Sequence, residues 1–151
     1  MTKQFVLAFC LTTTVCLNAA AARPSKQAPL AGQGIMMGEL TSTSIHAQVR
    51  LTETDELVDG DVAGHPGIVE FSVYEMNGGL RKTLSQQAVQ TTVVKAEAQY
   101  DFIARVIFKD LTPYTPYLIR TRIGNDANSL REGPTGRFVT HPGKDNEFPV
   151  S

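Results

Sequence analysis

The sequence of 151 residues predicts an all-β protein, an antiparallel β-sandwich. Two observations support this prediction. Short segments in which apolar and polar residues alternate recur along the chain, and a period of two is typical of a strand with one buried face. Turn-forming Gly, Pro, Asn and Asp separate these segments, and no segment has the periodicity of an amphipathic helix. The chain is long enough for one domain with its own hydrophobic core.

The predicted strands follow one another at short intervals. In the segment 45–51 apolar residues alternate with polar ones, and this alternation places Arg50 on the solvent side. The β-branched run 91–94 favours a strand, although Gln, Ala and Glu at the ends of 84–99 would also tolerate a helix. The predicted strands are 45–51, 69–74, 89–94, 100–108, 117–123 and 136–140. The turn signals between them are Asp59-Gly60, residues 64–67, residues 77–79, Pro113 and Gly133-Pro134.

The first 22 residues have the features of a secretory signal peptide. Lys3 gives a positive start, an apolar run follows over 5–17, and small residues then lead to a predicted cleavage after Ala22. The run is too short for a stable membrane span. A lipoprotein signal is the weaker alternative, because large residues precede both cysteines. The chain is therefore expected to be secreted or periplasmic (extracytoplasmic).

Removal of this segment would leave a mature chain without disulfides. Cys10 and Cys16 both lie inside the predicted signal, so the mature domain must be stabilised by its core. Residues 23–33 are rich in Pro, Gly and polar residues and are predicted to be a linker. The net charge of -1 and the lack of a basic patch argue against nucleic acid as a partner.

A proline-rich corner joins two of the predicted strands. Leu111 ends one strand, Pro113 fixes the backbone of the turn, Thr115 is held extended, and Tyr117 opens the next strand. This order is typical of a tyrosine corner, in which the ring packs into the core and the hydroxyl binds a backbone group a few residues upstream. The alternative is a chance proline-rich loop with an exposed tyrosine.

Three segments around this corner carry a family resemblance. Residues 38–52 read GELTSTSIHAQVRLT, and together with 69–75 and 100–117 they resemble the N-terminal domain of alkaline phosphatase D-type (PhoD-like) phosphatases. The resemblance extends over 34–151. It departs from the family where members often carry Trp and this chain has Gln48. It also departs in the turn, often Pro-Gly-Thr, where Tyr114 stands in place of glycine.

The resemblance implies a fibronectin III/immunoglobulin-like β-sandwich over 34–141. Residues 142–151 would then be a linker or the start of a missing catalytic domain. In this family the metal ions and the catalytic residues belong to the C-terminal metallophosphoesterase domain, which would be the partner of this one. The chain as given is therefore expected to be non-catalytic, without a cofactor. The alternative is a free-standing secreted fibronectin III-like binding module that grips a partner with loops such as 53–67.

The residues themselves offer no reaction centre. The histidines His46, His65 and His141 are scattered and show no metal-ligand spacing, so they are expected to be solvent-exposed. The acidic stretch 53–61 lacks the spacing and the terminal bidentate acid of a calcium loop, which favours a solvated loop. No serine elbow is present, and no cysteine nucleophile remains in the mature chain. No catalytic, cofactor-binding or metal residue is therefore assigned.

One polar cluster leaves two interpretations open. Arg105 and Lys109 lie on one predicted strand, and Arg120 and Arg122 lie on the next. They could form a basic face that binds an acidic partner domain, or they could simply hydrate the outer surface.

Overall fold

The structure is a computed structural model that describes residues 27–77 and 83–143. The predicted signal segment 1–22 and most of the predicted C-terminal linker therefore lie outside the described residues. The strands are β1 (Ile35–Gly38), β2 (Ile45–Arg50), β3 (Gly67–Asn77), β4 (Thr83–Leu84), β5 (Gln90–Ala96), β6 (Ile103–Phe108), β7 (Pro116–Gly124) and β8 (Arg131–Val139). A single turn of 3-10 helix, Ala98–Tyr100, precedes β6.

The strands form two antiparallel sheets. One sheet has three strands in the order β1-β2-β6. The other has five, in the order β4-β3-β7-β8, with β5 paired to the same edge of β3 as β4. The predicted all-β, fibronectin III/immunoglobulin-like sandwich is confirmed. The two-layer arrangement follows from the sequence, because two antiparallel sheets, each with one apolar face, can enclose a shared core.

The core lies between the inner faces of the two sheets. Along β2, β3, β6 and β7 the core-facing side chains recur at alternate positions, as the period of two requires. Thr121 is the polar member of this set, and its hydroxyl donates a hydrogen bond to the Pro134 carbonyl, 2.6 Å away. The principal apolar members are Ile45, Ala47, Val49, Val69, Phe71, Val73, Ala104, Phe108, Tyr117, Ile119 and Ile123.

Several strand boundaries differ from the predictions. Strand β6 begins only at Ile103, because Asp101 and Phe102 have left-handed backbones with φ of 53° and 57°. The turn predicted at Gly133-Pro134 is wrong, since both residues lie inside β8. Proline is tolerated there because β8 is an edge strand and its register with β7 shifts between Arg120 and Arg122. The short strands β1 and β4 were not predicted, since neither is long enough to show an alternating pattern.

The described part of the predicted linker packs onto the sandwich. The Leu30 backbone N–H donates to the Thr52 carbonyl at 2.8 Å, and the Thr52 N–H donates back at 2.9 Å. Ala31 packs against the core cluster. This segment is thus bound to the sandwich by backbone hydrogen bonds several residues before β1 begins.

The loop after β2 folds back onto its own strand. Gly64 pairs with Thr52, and the His65 N–H donates to the Leu51 carbonyl at 3.0 Å. Gly64 lies directly under the Phe102 ring, so that a β-carbon at this position would collide with the ring. Glycine is therefore required for this loop to close against Phe102, the residue before β6.

Candidate functional site

The corner between β6 and β7 is held together by several hydrogen bonds. It lies at the end of the sandwich where β8 ends. Tyr117 is buried, and its hydroxyl accepts a hydrogen bond of 2.9 Å from the Thr112 backbone N–H. Its ring stacks on Phe138 of β8, with the ring centroids 5.4 Å apart. Leu111 is also buried. This geometry is that of a tyrosine corner, which joins the two sheets at one point.

A second residue of the corner, Thr140, was not found from the sequence. It is buried, and its hydroxyl donates to the Thr112 carbonyl at 2.7 Å while accepting from the Thr115 N–H at 2.9 Å. The Thr115 hydroxyl in turn donates to the Pro113 carbonyl at 2.9 Å. Thr140 thus fixes the end of β8 to the corner. A threonine that closes a predicted strand gives no sequence signal of such contacts.

Tyr114, at the tip of this turn, has an unusual backbone for its residue type. Its φ is 50°, in the left-handed region that favours glycine, and its side chain is 61% exposed. Its N–H donates to the His141 carbonyl at 3.1 Å, so the turn also holds the segment that follows β8. The left-handed backbone of Tyr114 is therefore part of the turn, and the residue itself is largely exposed.

Tyr114→Gly is expected to be more stable than Tyr114→Ala by about 0.5–1 kcal/mol, since both changes remove the tyrosine side chain and only glycine relieves the left-handed backbone. The relief of left-handed strain, about 1–2 kcal/mol, exceeds the extra backbone entropy that glycine loses on folding. Urea unfolding of both chains measures the difference. Val139→Gly is the control, because Val139 is exposed and has no positive φ, so the same residue type should destabilise there. A Tyr114→Gly chain no more stable than Tyr114→Ala would contradict the strain.

Arg50 forms a buried charge site that contradicts its predicted position on the solvent side. Only 7% of the residue is exposed. Its Nε and Nη2 donate to the two carboxylate oxygens of Asp101 at 3.1 and 3.0 Å, and its Nη1 donates to the Val62 carbonyl at 2.9 Å. Asp61 lies 3.8 Å from Nη2. The loop after β2 and the 3-10 turn fold over the end of the strand and bury the arginine, which alternation within one strand cannot show.

The environment of Arg50 keeps it charged. The hydrogen bond to Asp101 raises the pKa of Arg50 above its ordinary value, and the nearby negative charges add to this, while burial opposes them. A planar guanidinium suits the two-pronged carboxylate contact. The site therefore joins the end of β2, the 3-10 turn and the loop after β2, and it is a structural contact.

The histidines are not brought together. His46 lies on β2 with its Nε2 3.3 Å from a Glu39 carboxylate oxygen, and His141 is exposed beyond β8. The expectation that all three are exposed is wrong for His65, which is buried with its Nδ1 2.6 Å from the Pro66 carbonyl oxygen. Within residues 27–77 and 83–143, no three His, Cys, Asp or Glu side chains are grouped so that they could hold a metal ion.

The acidic stretch after β2 contains a tight hairpin. Val58 and Asp61 exchange backbone hydrogen bonds of 2.8 and 3.1 Å across Asp59 and Gly60, whose φ angles are 54° and 86°. Asp-Gly is the pair that such a turn favours. The Asp61 carboxylate accepts from the Val62 N–H at 2.7 Å, so this carboxylate serves the local backbone.

The basic residues do not form one face. The interpretation that they make a basic surface for an acidic partner domain is therefore wrong. Arg105 lies on β6 in the three-stranded sheet, whereas Arg120 and Arg122 lie on β7 in the other sheet. Arg122 pairs with Glu70 at 3.4 Å, and the Arg120 guanidinium lies 5.5 Å from the Tyr74 ring centre. Consecutive strands along the chain belong to opposite layers here, which places the two arginine groups on opposite sides of the molecule.

The outer face of the three-stranded sheet forms a shallow, open concavity. Met36 of β1 and Ile107 of β6 are half exposed beside the polar residues His46, Gln48 and Arg105. Gln48 lies where PhoD-like phosphatases, which the sequence resembles, often carry tryptophan. The concavity is thus a mixed apolar and polar surface with no grouped nucleophile or metal ligands.

Comparisons with known proteins identify the fold. No protein-family model matches the sequence, and no curated protein sequence is significantly similar to it. The solved structure of PhoD matches with a TM-score of 0.60 and 21% identity, over 84% of this chain and 22% of the PhoD chain. The third fibronectin III domain of the human KIAA0343 protein matches with a TM-score of 0.43 and 15% identity, over 89% of this chain and 98% of that domain.

The two antiparallel sheets and the PhoD match define the class of protein. The chain is a fibronectin III-like β-sandwich, and it has the fold of a segment of PhoD that makes up 22% of the PhoD chain. Among the residues that the structure describes, no helix has the length and apolar character needed to cross a membrane.

Proposed function

We propose that this chain is the non-catalytic N-terminal domain of a secreted PhoD-like metallophosphoesterase, present here without its catalytic domain. The observation that carries the proposal is the match of 84% of this chain to a segment that is only 22% of PhoD. Such a segment is the size of an accessory domain, and function resides in sites rather than in folds. Metal-dependent hydrolysis of phosphate esters would belong to the domain that follows.

The tyrosine corner supports this proposal through the way it holds the end of β8. Thr140 is fixed to Thr112 and Thr115, and the His141 N–H donates to the Thr41 carbonyl at 3.0 Å. A polypeptide that continues from this point would leave the sandwich in a defined direction. The role of the domain would then be to pack against the following domain and shape access to its site.

The genomic sequence beyond the codon for Ser151 tests this proposal. An in-frame or frameshifted continuation that contains clusters of Asp, His and Asn is expected, because a two-metal phosphoesterase needs several such ligands. A stop codon followed by sequence without any such clusters would contradict it. Detection of the longer product by mass spectrometry of culture fluid would also establish that the protein is secreted.

A free-standing binding module is the second candidate, and the hairpin after β2 favours it. Leu57 and Val58 lie at this hairpin with exposed fractions of 71% and 65%. Exposed apolar side chains on a loop are typical of a surface that contacts a partner. The stop codon described above, together with secretion of the processed chain that ends at Ser151, would favour this candidate.

A further inference from the structure

A groove lies between strands β5 and β6, which belong to different sheets and run side by side at one side of the sandwich. At one end the two strands are joined, because the Gln90 side-chain amide donates to the Lys109 carbonyl at 2.5 Å. At the other end the 3-10 turn Ala98–Tyr100 connects β5 to β6. The groove has a volume of about 560 Å³, within the range of about 300–1,000 Å³ that is usual for small-molecule sites. Its lining includes Val94, Lys95, Tyr100, Asp101, Ile103 and Arg105.

Part of this lining is apolar. Val94 packs against the core cluster, and Ile103 is partly buried at the start of β6. Tyr100 is 63% exposed in the 3-10 turn, so its ring is accessible to a ligand in the groove. Aromatic rings pair with each other in offset-stacked or edge-to-face arrangements, which add to the free energy gained by burial. The groove therefore suits a ligand with a small aromatic body.

Two positively charged residues line the groove from different strands. Lys95 of β5 and Arg105 of β6 are both exposed. Within residues 27–77 and 83–143, neither side chain forms an ion pair or a hydrogen bond. By contrast, Arg122 pairs with Glu70 and Arg120 lies over the Tyr74 ring on the outer face of the five-stranded sheet. The two cations of the groove are thus available to a ligand.

Asp101, the acidic residue of the lining, does not cancel these charges. Both of its carboxylate oxygens accept hydrogen bonds from Arg50, at 3.1 and 3.0 Å, so its charge is balanced by the buried guanidinium. Lys95 and Arg105 therefore give the groove two uncompensated positive charges. Hydrogen bonds from such cations to an anion are about twice as strong as hydrogen bonds between neutral groups.

We propose that this β5–β6 groove binds a small aromatic compound that carries two negative charges. Lys95 and Arg105 bind the charged groups, so that the charges of ligand and groove balance, and Tyr100 and Ile103 contact the aromatic body. Two carboxylates or one phosphate monoester would both supply the charges. Because the groove is open to solvent, the dissociation constant at low salt is expected to be on the order of 1 mM. The proposal does not depend on the PhoD-like function proposed above.

Titration of the isotope-labelled processed chain, followed by the NMR chemical shifts of its backbone amides, tests the proposal. The probes are phthalate, an aromatic dicarboxylate, and phenyl phosphate at about pH 8, where a phosphate monoester is doubly charged. At least one probe is expected to cause saturable shifts at residues 94–105, and a preference between the two identifies the acid group that the groove accepts. Benzamide lacks the charges and inorganic phosphate lacks the ring, so each should bind about fivefold more weakly or less tightly still.

Lys95→Met and Arg105→Met are each expected to weaken binding of the preferred probe by about tenfold, because each removes one charge-assisted contact. Both residues are exposed, and the amide spectrum of each variant shows directly whether it is folded. Arg137→Met is the matched control. Arg137 is an exposed arginine on β8 of the five-stranded sheet, so its replacement should leave the dissociation constant unchanged.

Four results would overturn the proposal. The first is the absence of saturable shifts up to about 20 mM of either probe. The second is equally tight binding of inorganic phosphate, which would indicate an adventitious ion only. The third is a set of shifts that lies outside residues 94–105. The fourth is an Arg105→Met chain that binds the preferred probe as tightly as the parent chain does.

Discussion

Replacing Arg50 with methionine is expected to destabilise the domain by about 1–2 kcal/mol, since it removes a buried guanidinium that binds the buried Val62 carbonyl and the Asp101 carboxylate, whose side chain is 65% exposed. Methionine fills much of the same volume, so the loss reports the guanidinium contacts rather than a cavity. The change leaves the Val62 carbonyl without its 2.9 Å donor and the Asp101 carboxylate without its two-pronged partner. Chemical denaturation at neutral pH measures the difference.

Arg122→Met is the matched control for Arg50. Arg122 pairs with Glu70 at the surface, where its side chain is 47% exposed, and such pairs contribute about 0–1 kcal/mol. Because the folded-state pKa of Arg50 is raised, its stabilising effect is fully present at every pH below its ordinary pKa and is lost only above the raised value. Arg50 stays protonated between about pH 6 and pH 9. Its own titration should therefore not change the effect of Arg50→Met over this range. An effect no larger than that of Arg122→Met would contradict a structural role for the buried charge.

Tyr117→Phe is expected to lower the free energy of unfolding by about 1–2 kcal/mol, because it leaves the Thr112 N–H without its hydrogen-bond acceptor. The stacking on Phe138 is retained in phenylalanine, so the change isolates the hydroxyl group. Thermal and urea unfolding of the same samples measure the loss.

Tyr100→Phe removes the same atom from an exposed tyrosine and serves as the control. Tyr100 is 63% exposed in the 3-10 turn, and surface changes of this kind are expected to stay within about 0.5 kcal/mol. If Tyr117→Phe were indistinguishable from Tyr100→Phe, the corner would not stabilise the sandwich.

The long strands were predicted from the sequence, whereas the contacts between loops and strands were not. Alternation is a property of a single strand, so the long strands β2, β3, β6 and β7 were all predicted. Arg50 and His65 were placed wrongly because the loop after β2 folds back over them, and this closure depends on residues distant in the sequence. Pro134 was read as a turn because a proline signal does not distinguish a turn from an edge strand.

The candidate site shows the same division. Tyr117 and its proline turn form a local pattern with a known geometry, and they could be named in advance. Thr140 reaches the corner from the far end of β8, so only the folded arrangement brings its hydroxyl to the Thr112 carbonyl. The prediction of one basic face was wrong because β6 and β7, which are adjacent in sequence, belong to different sheets.

Phosphate-ester hydrolysis by the purified chain tests most directly whether it is a scaffold domain without a reaction centre. The chain would be incubated with a chromogenic phosphate monoester and diester in the presence of Zn²⁺, Mn²⁺, Mg²⁺ or Ca²⁺. No turnover above the metal-only blank is expected. Metal-dependent turnover that follows the chain through repeated purification and disappears with a chelator would contradict the proposed role.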